Sequence, residues 1–323
     1  MKKLLKSRET SLLLILVIFI AFIQIRNNTF LTGSSIVSLL QNYAVIMILA
    51  LGMMLVLLIG GIDISIGSTL AFSGMTGAML IRDHQNLPIF LILLVCILVG
   101  IVVGALIGTV ISKGHVPPII CTMGMMSVMR GLTYMISNNQ WVSSYELPDS
   151  FKNFARVKIL GINSMVWIIV LAYVIFYFMM KWTRFGRQIY AVGCNEEGAR
   201  VSGIKVDKVK TLCYTILGGL VGLTSFMFVS FYTCAQNDSG VGYEMKVIAA
   251  CVLGGVSLTG GRGTVIGVLL GSLLMAVIGQ GLPLIGMPAL WQDAIEGLII
   301  LMAIILNVIA QRNIMKKRVK EEA

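Results

Sequence analysis

Four charged side chains stand inside or against long apolar runs, and they limit the chemistry open to this chain. Asp63 lies in LLIGGIDISIGS and Arg130 in MMSVMRGLTYMI; Asp293 and Glu296 sit one turn apart in ALWQDAIEGL. A charge placed against hydrocarbon is costly, so it marks a polar pathway, a helix cap or a partner. Asp63 can cap a helix starting at about Ile64, or it can hold the mouth of a pathway. Arg130 sits roughly two turns from the end of its run, so it can snorkel or face a pathway. Asp293 and Glu296 can pair with a neighbouring helix or face a vestibule. The missing motifs narrow the chemistry further. There is no GxxxxGK[ST], HExxH or GxSxG, and no catalytic carboxylate pair, so nothing supports an enzyme. The six Cys have no CxxC spacing, and His84 and His115 are far apart. Neither set reads as a metal site or a disulfide framework, and no metal or cofactor is expected on this chain.

One stretch is unlike the rest. YAVGCNEEGARVSGIKVDKVK, Tyr190 to Lys210, is the longest charged segment and falls in the middle of the chain. Asn195 is a suitable N-cap, Glu196 and Glu197 fall in the first turn, and Arg200 follows, which suits the helix dipole. Gly203 is a suitable stop. The pattern predicts a short helix over about 195–202 at a membrane surface. Taken alone, it serves equally well as a solvated loop that anchors topology.

The elements that position these residues are membrane helices. Of the 323 residues, 57% are hydrophobic and 12% charged, against about 25% charged in water-soluble domains. The apolar runs do not alternate, so they are helices and not barrel strands. Ten spans are expected, near 11–25, 43–59, 66–81, 88–111, 118–136, 165–180, 211–232, 246–258, 264–283 and 290–308. The third and eighth are Gly-rich or short and are the candidates for broken or re-entrant helices. The fold expected is therefore an all-α integral membrane protein, one transmembrane domain over 1–323. It has a charged loop at 182–210 and a larger loop at 137–164.

Charge sets the orientation. With the N-terminus inside, the outer segments hold only Arg26, Arg82, Lys152, Arg156 and Lys158, and nearly all other cations fall inside. That asymmetry predicts both termini in the cytoplasm. It also explains the net charge of +11 without nucleic acid. The N-terminal cations and apolar run lack a small-residue cleavage site and read as an uncleaved first span. Two Gly-rich stretches, 58–74 and 253–274, each place Gly-Gly-[Ile/Val] at the inner end of a span, which hints at a duplicated design. A proton- or sodium-coupled carrier keeps acids deep in the membrane. No acid here must lie deep.

Taken in order, these stretches resemble one family. They are GGIDISIGS, TRFGRQIYAVGCNEEGARVSGIKVDKVK, GYEMKVIAACVLGGVSLTGGRGTVIGVLLGSLL and QGLPLIGMPALWQDAIEGLIILMAIILN. They are similar to the membrane subunits of bacterial ribose-type monosaccharide ABC importers, from about residue 11 to 310. MPALWQDAIEGL and EMKVIAACVLGG look closer to the rhamnose and autoinducer-2 branches. The resemblance implies a multi-pass subunit of the bacterial inner membrane that pairs with a copy of itself or a paralogue. A periplasmic sugar-binding protein would dock outside. A cytoplasmic ATPase with two fused nucleotide-binding domains, carrying ATP-Mg, would dock inside. It also implies that Asn195, Glu196, Glu197, Ala199, Arg200 and Gly203 couple the chain to that ATPase. Cys194 departs from the small residue more usual there. The alternatives are an ABC permease for a nucleoside or branched-chain amino acid, and a stand-alone secondary carrier.

Overall fold

The computed structural model describes residues 8–288, together with 291, 294, 295, 297, 298, 301 and 302. Asp293, Glu296 and most of the tenth expected span lie outside the described residues. The first five helices are α1 (Arg8–Arg26), α2 (Gly33–Leu58), α3 (Ile66–Asp83), α4 (Ile89–Gly114) and α5 (Pro118–Ile136). Then come α6 (Asp149–Phe154), α7 (Ser164–Trp182), α8 (Arg184–Cys194), α9 (Glu196–Val201) and α10 (Val206–Tyr232). They are followed by α11 (Tyr243–Leu253) and α12 (Val265–Leu284). Two short strands, β1 (Lys158–Ile159) and β2 (Ile162–Asn163), pair antiparallel.

Among the described residues, seven helices are long and apolar enough to cross a membrane: α1, α2, α4, α5, α7, α10 and α12. The third and eighth expected spans differ from these in two ways. Helix α3 has 18 residues but carries Ser68, Thr69, Ser73 and Thr76, and it hides the first three within the bundle. Its Ser73 hydroxyl donates to the Cys96 carbonyl (2.9 Å) and shares a hydrogen bond with Ser225 (2.9 Å). Helix α11 has only 11 residues, about 16 Å of rise, half of a hydrocarbon core of about 30 Å. The segment 233–242 before it is not helical.

Helix α2 is the axis of the bundle. Every residue from Ala44 to Leu58 is buried, and α7, α10, α11 and α12 pack around it. It starts well before the expected residue 43, because Thr32 caps it through Ser35 N and its polar first turns touch protein. Gln280 of α12 donates to the Ser35 carbonyl (3.1 Å).

Lipid is as apolar as leucine, so helices here are held by close approach rather than by hydrophobic force. Gly100, Gly104 and Gly108 recur every fourth residue on α4. They lie against Gly218, Gly222, Tyr214 and Thr211 of α10, backbone on backbone. Helices α11 and α12 meet in the same way through Gly254, Gly267 and Gly271.

The 137–164 segment, expected as a loop, folds into a small cap over one end of the bundle. A 3₁₀ turn at Ser144–Glu146 carries a capping box with Ser143. The rings of Phe151 and Phe154 stand edge-on to Phe226 of α10 at 5.1 and 4.9 Å. Ser230 donates to the Phe151 carbonyl (2.7 Å).

Candidate functional site

The charged central stretch is a helical hairpin, not an open loop. Thr183 caps α8 by accepting from Gly186 N (3.1 Å). Helix α8 buries Gly186, Ile189 and Val192 and turns Arg184 and Arg187 outward. The turn from α7 is tight: a Cβ on Gly186 would lie 2.5 Å from the Met180 carbonyl. Asn195 then serves both helices, as C-cap of α8 and N-cap of α9. Its Oδ1 accepts from Gly198 N at 2.9 Å. Gly203 closes α9 at φ +81°, with Gly203 N on the Arg200 carbonyl and Ile204 N on the Ala199 carbonyl, both 3.0 Å. The helix read from sequence over 195–202 is therefore present, with the expected cap and stop. Helix α8 before it was not expected. Its signal was the amphipathic spacing of Phe185, Ile189 and Val192.

Salt bridges hold the hairpin to α10. Lys210 Nζ meets Glu196 Oε2 at 2.7 Å, and Arg200 Nη2 meets Asp207 Oδ1 at 3.2 Å and Glu196 Oε1 at 3.6 Å. All are at least partly exposed, so each adds at most about 1 kcal/mol. Ala199 is buried, and its role is packing. The outward face is Glu197, Val201, Ser202 and Gly203. Val201 is 87% exposed at the tip of a polar helix, where none of the described residues covers it. Reading the sequence as a charge pattern passed over Val201.

Beneath the hairpin three glycine-rich pieces converge. Gly261 N donates to the Leu58 carbonyl at the end of α2 (2.9 Å). Gly193, near the end of α8, lies directly on that carbonyl, and its Cβ position is 2.6 Å from Gly261 N. Gly260 lies 3.0 Å from the Gly193 and Leu58 carbonyls by the same measure. Tyr190 donates from its hydroxyl to the Gly263 carbonyl (2.8 Å). The hairpin thus sits on the end of α2 and on the turn after α11 mainly through glycine backbone, with Tyr190 adding a side-chain bond.

These two ends are built alike, with a different register from the one the sequence suggests. After α2, Gly60 N donates to Leu57 O and Gly61 N to Val56 O, both at 2.9 Å. After α11, Gly255 N donates to Val252 O (3.0 Å) and Val256 N to Cys251 O (2.9 Å). The left-handed residues are Gly60 (φ +76°) and Gly255 (φ +90°). Gly60 therefore matches Gly255, not Gly254. Matching the Gly-Gly pairs shifts the comparison by one residue, because only the glycine with positive φ is required by the cap.

Asp63 lies in the connector between α2 and α3, 4% exposed. Its Oδ1 accepts from Ser65 N (2.8 Å) and Ser65 Oγ (2.6 Å). The helix starts at Ile66 and not Ile64, so Asp63 shapes the turn leading into it. Burial pushes its carboxyl up to about 6; the neutral acid is favoured, and the stabilisation it carries fades as pH rises from about 4 through 6. Asp63→Asn keeps the acceptor and should hold or raise the melting temperature in detergent at pH 7.5. Asp63→Ala should lower the stability by about 1–2 kcal/mol. Equal melting temperatures for the two variants would contradict this.

Arg130 is half-buried on α5. Its Nη1 donates to the Asn237 carbonyl (2.6 Å) and the Ser239 carbonyl (3.1 Å) in the non-helical segment before α11. It lines a cavity of about 540 Å3 that also contains Glu244. Asp63 does not line that cavity. The six hairpin residues are thus brought together, whereas Asp63 and Arg130 belong to two separate places.

Residues 35–304 match the family described as branched-chain amino acid transport system / permease component. The chain belongs to that family. As a permease component with these helices, it is a multi-pass protein of the bacterial inner membrane. It is similar to the ribose import permease protein of Escherichia coli, 35% identical over 301 residues, 93% of either chain. It is 39% identical to the ribose import permease protein of Bacillus subtilis over 292 residues, 90% of either chain. It is 31% identical to the autoinducer 2 import system permease protein of Salmonella typhi over 316 residues, 97% of this chain and 90% of that one. No solved structure matches.

Proposed function

We propose that this permease component is the transmembrane subunit of an ATP-binding-cassette importer. Its cargo is a monosaccharide or sugar-like molecule of the pentose, deoxyhexose or autoinducer-2 type, delivered by a soluble binding protein. The observation that carries this reading is the near full-length similarity to permeases named for ribose and autoinducer-2 import. A second permease, the same or a paralogue, completes the pathway. The ATP-Mg chemistry is on a cytoplasmic ATPase with two fused nucleotide-binding domains. The family description names branched-chain amino acids, so an amino-acid cargo is the second reading.

In this mechanism the hairpin of α8 and α9 carries ATPase movement into the bundle. The tip formed by Glu197 and Val201 inserts into the ATPase, and Arg200 and Glu196 keep α9 square on α10. Movement passes through the glycine junction to α2 and α11, and the paired bundles switch between two access states. This requires the hairpin and both termini on the cytoplasmic side, as the cation distribution predicts.

Deleting this chain in its native cells should abolish uptake of one labelled compound among D-ribose, L-rhamnose, autoinducer 2, leucine and uridine. Loss of leucine uptake alone would overturn the sugar reading. Two variants test the coupling. Glu197→Ala with Arg200→Ala, and separately Val201→Asp, should leave the chain in the membrane in normal amount. Both should cut uptake at least about tenfold, the loss of about 1.4 kcal/mol or more at the contact, and reduce co-purification of the ATPase. Normal uptake in both would remove the coupling role.

A further inference from the structure

The segment 233–242 interrupts helix at membrane depth. Helix α11 spans only half a bilayer, and it starts where Gly240 packs on Gly67, in the first turn of α3. Backbone without helix is tolerated at such depth only inside protein or against a polar cavity. Here both conditions hold. Arg130 satisfies the carbonyls of Asn237 and Ser239, and Ser137 donates to Asn237 Oδ1 (2.9 Å). Next to this segment lies the cavity of about 540 Å3, with Ser68, Ser127, Arg130, Tyr134 and Glu244 in its wall. That volume falls within the roughly 300–1,000 Å3 of small-molecule sites.

Helix α5 points to what fills it. Most of this helix is uncovered, with Ile120, Met123, Val128 and Met135 at least half exposed. Yet Ser127, Arg130 and Tyr134 fall on one face at helical spacing and meet Glu244 there. A face with a guanidinium, a carboxylate and hydroxyls does not turn to hydrocarbon. It turns to water or to cargo.

We infer that this cavity is the subsite in which the permease holds a small hydroxylated cargo on its way through the membrane. The chemistry matches a neutral polyol. Each sugar hydroxyl both donates and accepts; Arg130 only donates, Glu244 only accepts, and Ser68, Ser127 and Tyr134 do either. Arg130 is already bound to two carbonyls, so it is a fixed donor and not a free counter-ion for a carboxylate cargo. Discontinuous helices at mid-depth are where transporters place such sites. This inference rests on the import reading above.

The test uses the full-length chain in its native cells. Ser127→Cys and Val128→Cys are each exposed to a charged methanethiosulfonate reagent, and the labelled peptide is read by mass spectrometry. Thiolate forms in water and not in lipid, so Ser127→Cys should react and Val128→Cys should lag well behind. D-ribose or L-rhamnose should slow the reaction at Ser127→Cys, and leucine should not. Glu244→Gln should reach the membrane normally and lower sugar uptake about tenfold, as expected when a hydrogen bond to a charged acceptor becomes one to a neutral amide. Equal labelling at the two positions, protection by leucine instead of sugar, or wild-type uptake in Glu244→Gln would each overturn the inference. If the unmodified chain takes up leucine and no sugar, the sugar reading itself fails. The labelling rates still report separately on whether the cavity holds water.

Discussion

Replacing Gly193 with valine should abolish uptake while the chain still enters the membrane. The reason is the absence of anything soft at that point. A Cβ on Gly193 falls on the Leu58 carbonyl oxygen and 2.6 Å from Gly261 N. Those two atoms are hydrogen-bonded to each other at 2.9 Å. No side chain can swing aside, so either the hairpin lifts or the ends of α2 and α11 separate. Lifting is the easier movement, because α9 buries only Ala199 and its ion pairs to α10 are partly exposed. Overpacking a side-chain core costs about 1–3 kcal/mol, and a backbone clash lies at or above that range. The transmembrane helices do not depend on this contact, so insertion survives. Three measurements check it: the amount of chain in the membrane, uptake, and trypsin cleavage at Arg200, which should speed up as the hairpin loosens. Gly33→Val is the control, since a Cβ there meets nothing within 4 Å. Wild-type uptake in Gly193→Val would mean that movement enters the bundle elsewhere.

The second large effect distinguishes two adjacent glycines. Gly218→Ala should sharply lower the yield and melting temperature of the purified chain; Gly219→Ala should not. The Cβ of the first lands on the Gly100 carbonyl oxygen and 3.0 Å from Gly104 Cα. Helices α4 and α10 would have to part along the Gly100–Gly108 face, at a cost on the order of 3 kcal/mol. The Cβ of the second meets only the Ile101 side chain, 3.3 Å from its Cγ1, and a side-chain end can turn away. Alanine also gains helix propensity over glycine, by up to about 1 kcal/mol. Thermal melting of the two variants in detergent decides the matter. Identical curves would show that glycine does not set the spacing of α4 and α10.

Several elements were legible from sequence because their causes are local. The apolar runs declared helices, since lipid allows only helices or closed barrels and these runs do not alternate as barrel strands do. The α9 helix could be bounded from Asn195, its two glutamates and Gly203, because a cap and a stop act within one turn. The weakness of the third and eighth spans was visible in their glycines and short length. The order of motifs pointed to the permease family, which the matches across 35–304 then established.

The remaining features arise between residues far apart in the chain. Arg130 meets the carbonyl of Asn237, 107 positions away, and no local pattern says that 233–242 will stay out of helix and leave that carbonyl without a helical partner. Gly60 matches Gly255 only through hydrogen bonds and the sign of φ, so counting letters placed the repeat one residue off. Gly193 reads as an ordinary small residue until α2 and the Gly260–Gly261 turn are brought against it. Val201 goes unnoticed in a charge pattern until the packed hairpin leaves it uncovered. By itself the sequence determined where backbone polar groups must be paired within a segment, and therefore most of the membrane helices and the ends of α9. Only the tertiary structure decided which backbones touch, because in a membrane that choice is made by shape and by unpaired polar groups meeting across the bundle, not by the apolar pattern along the chain.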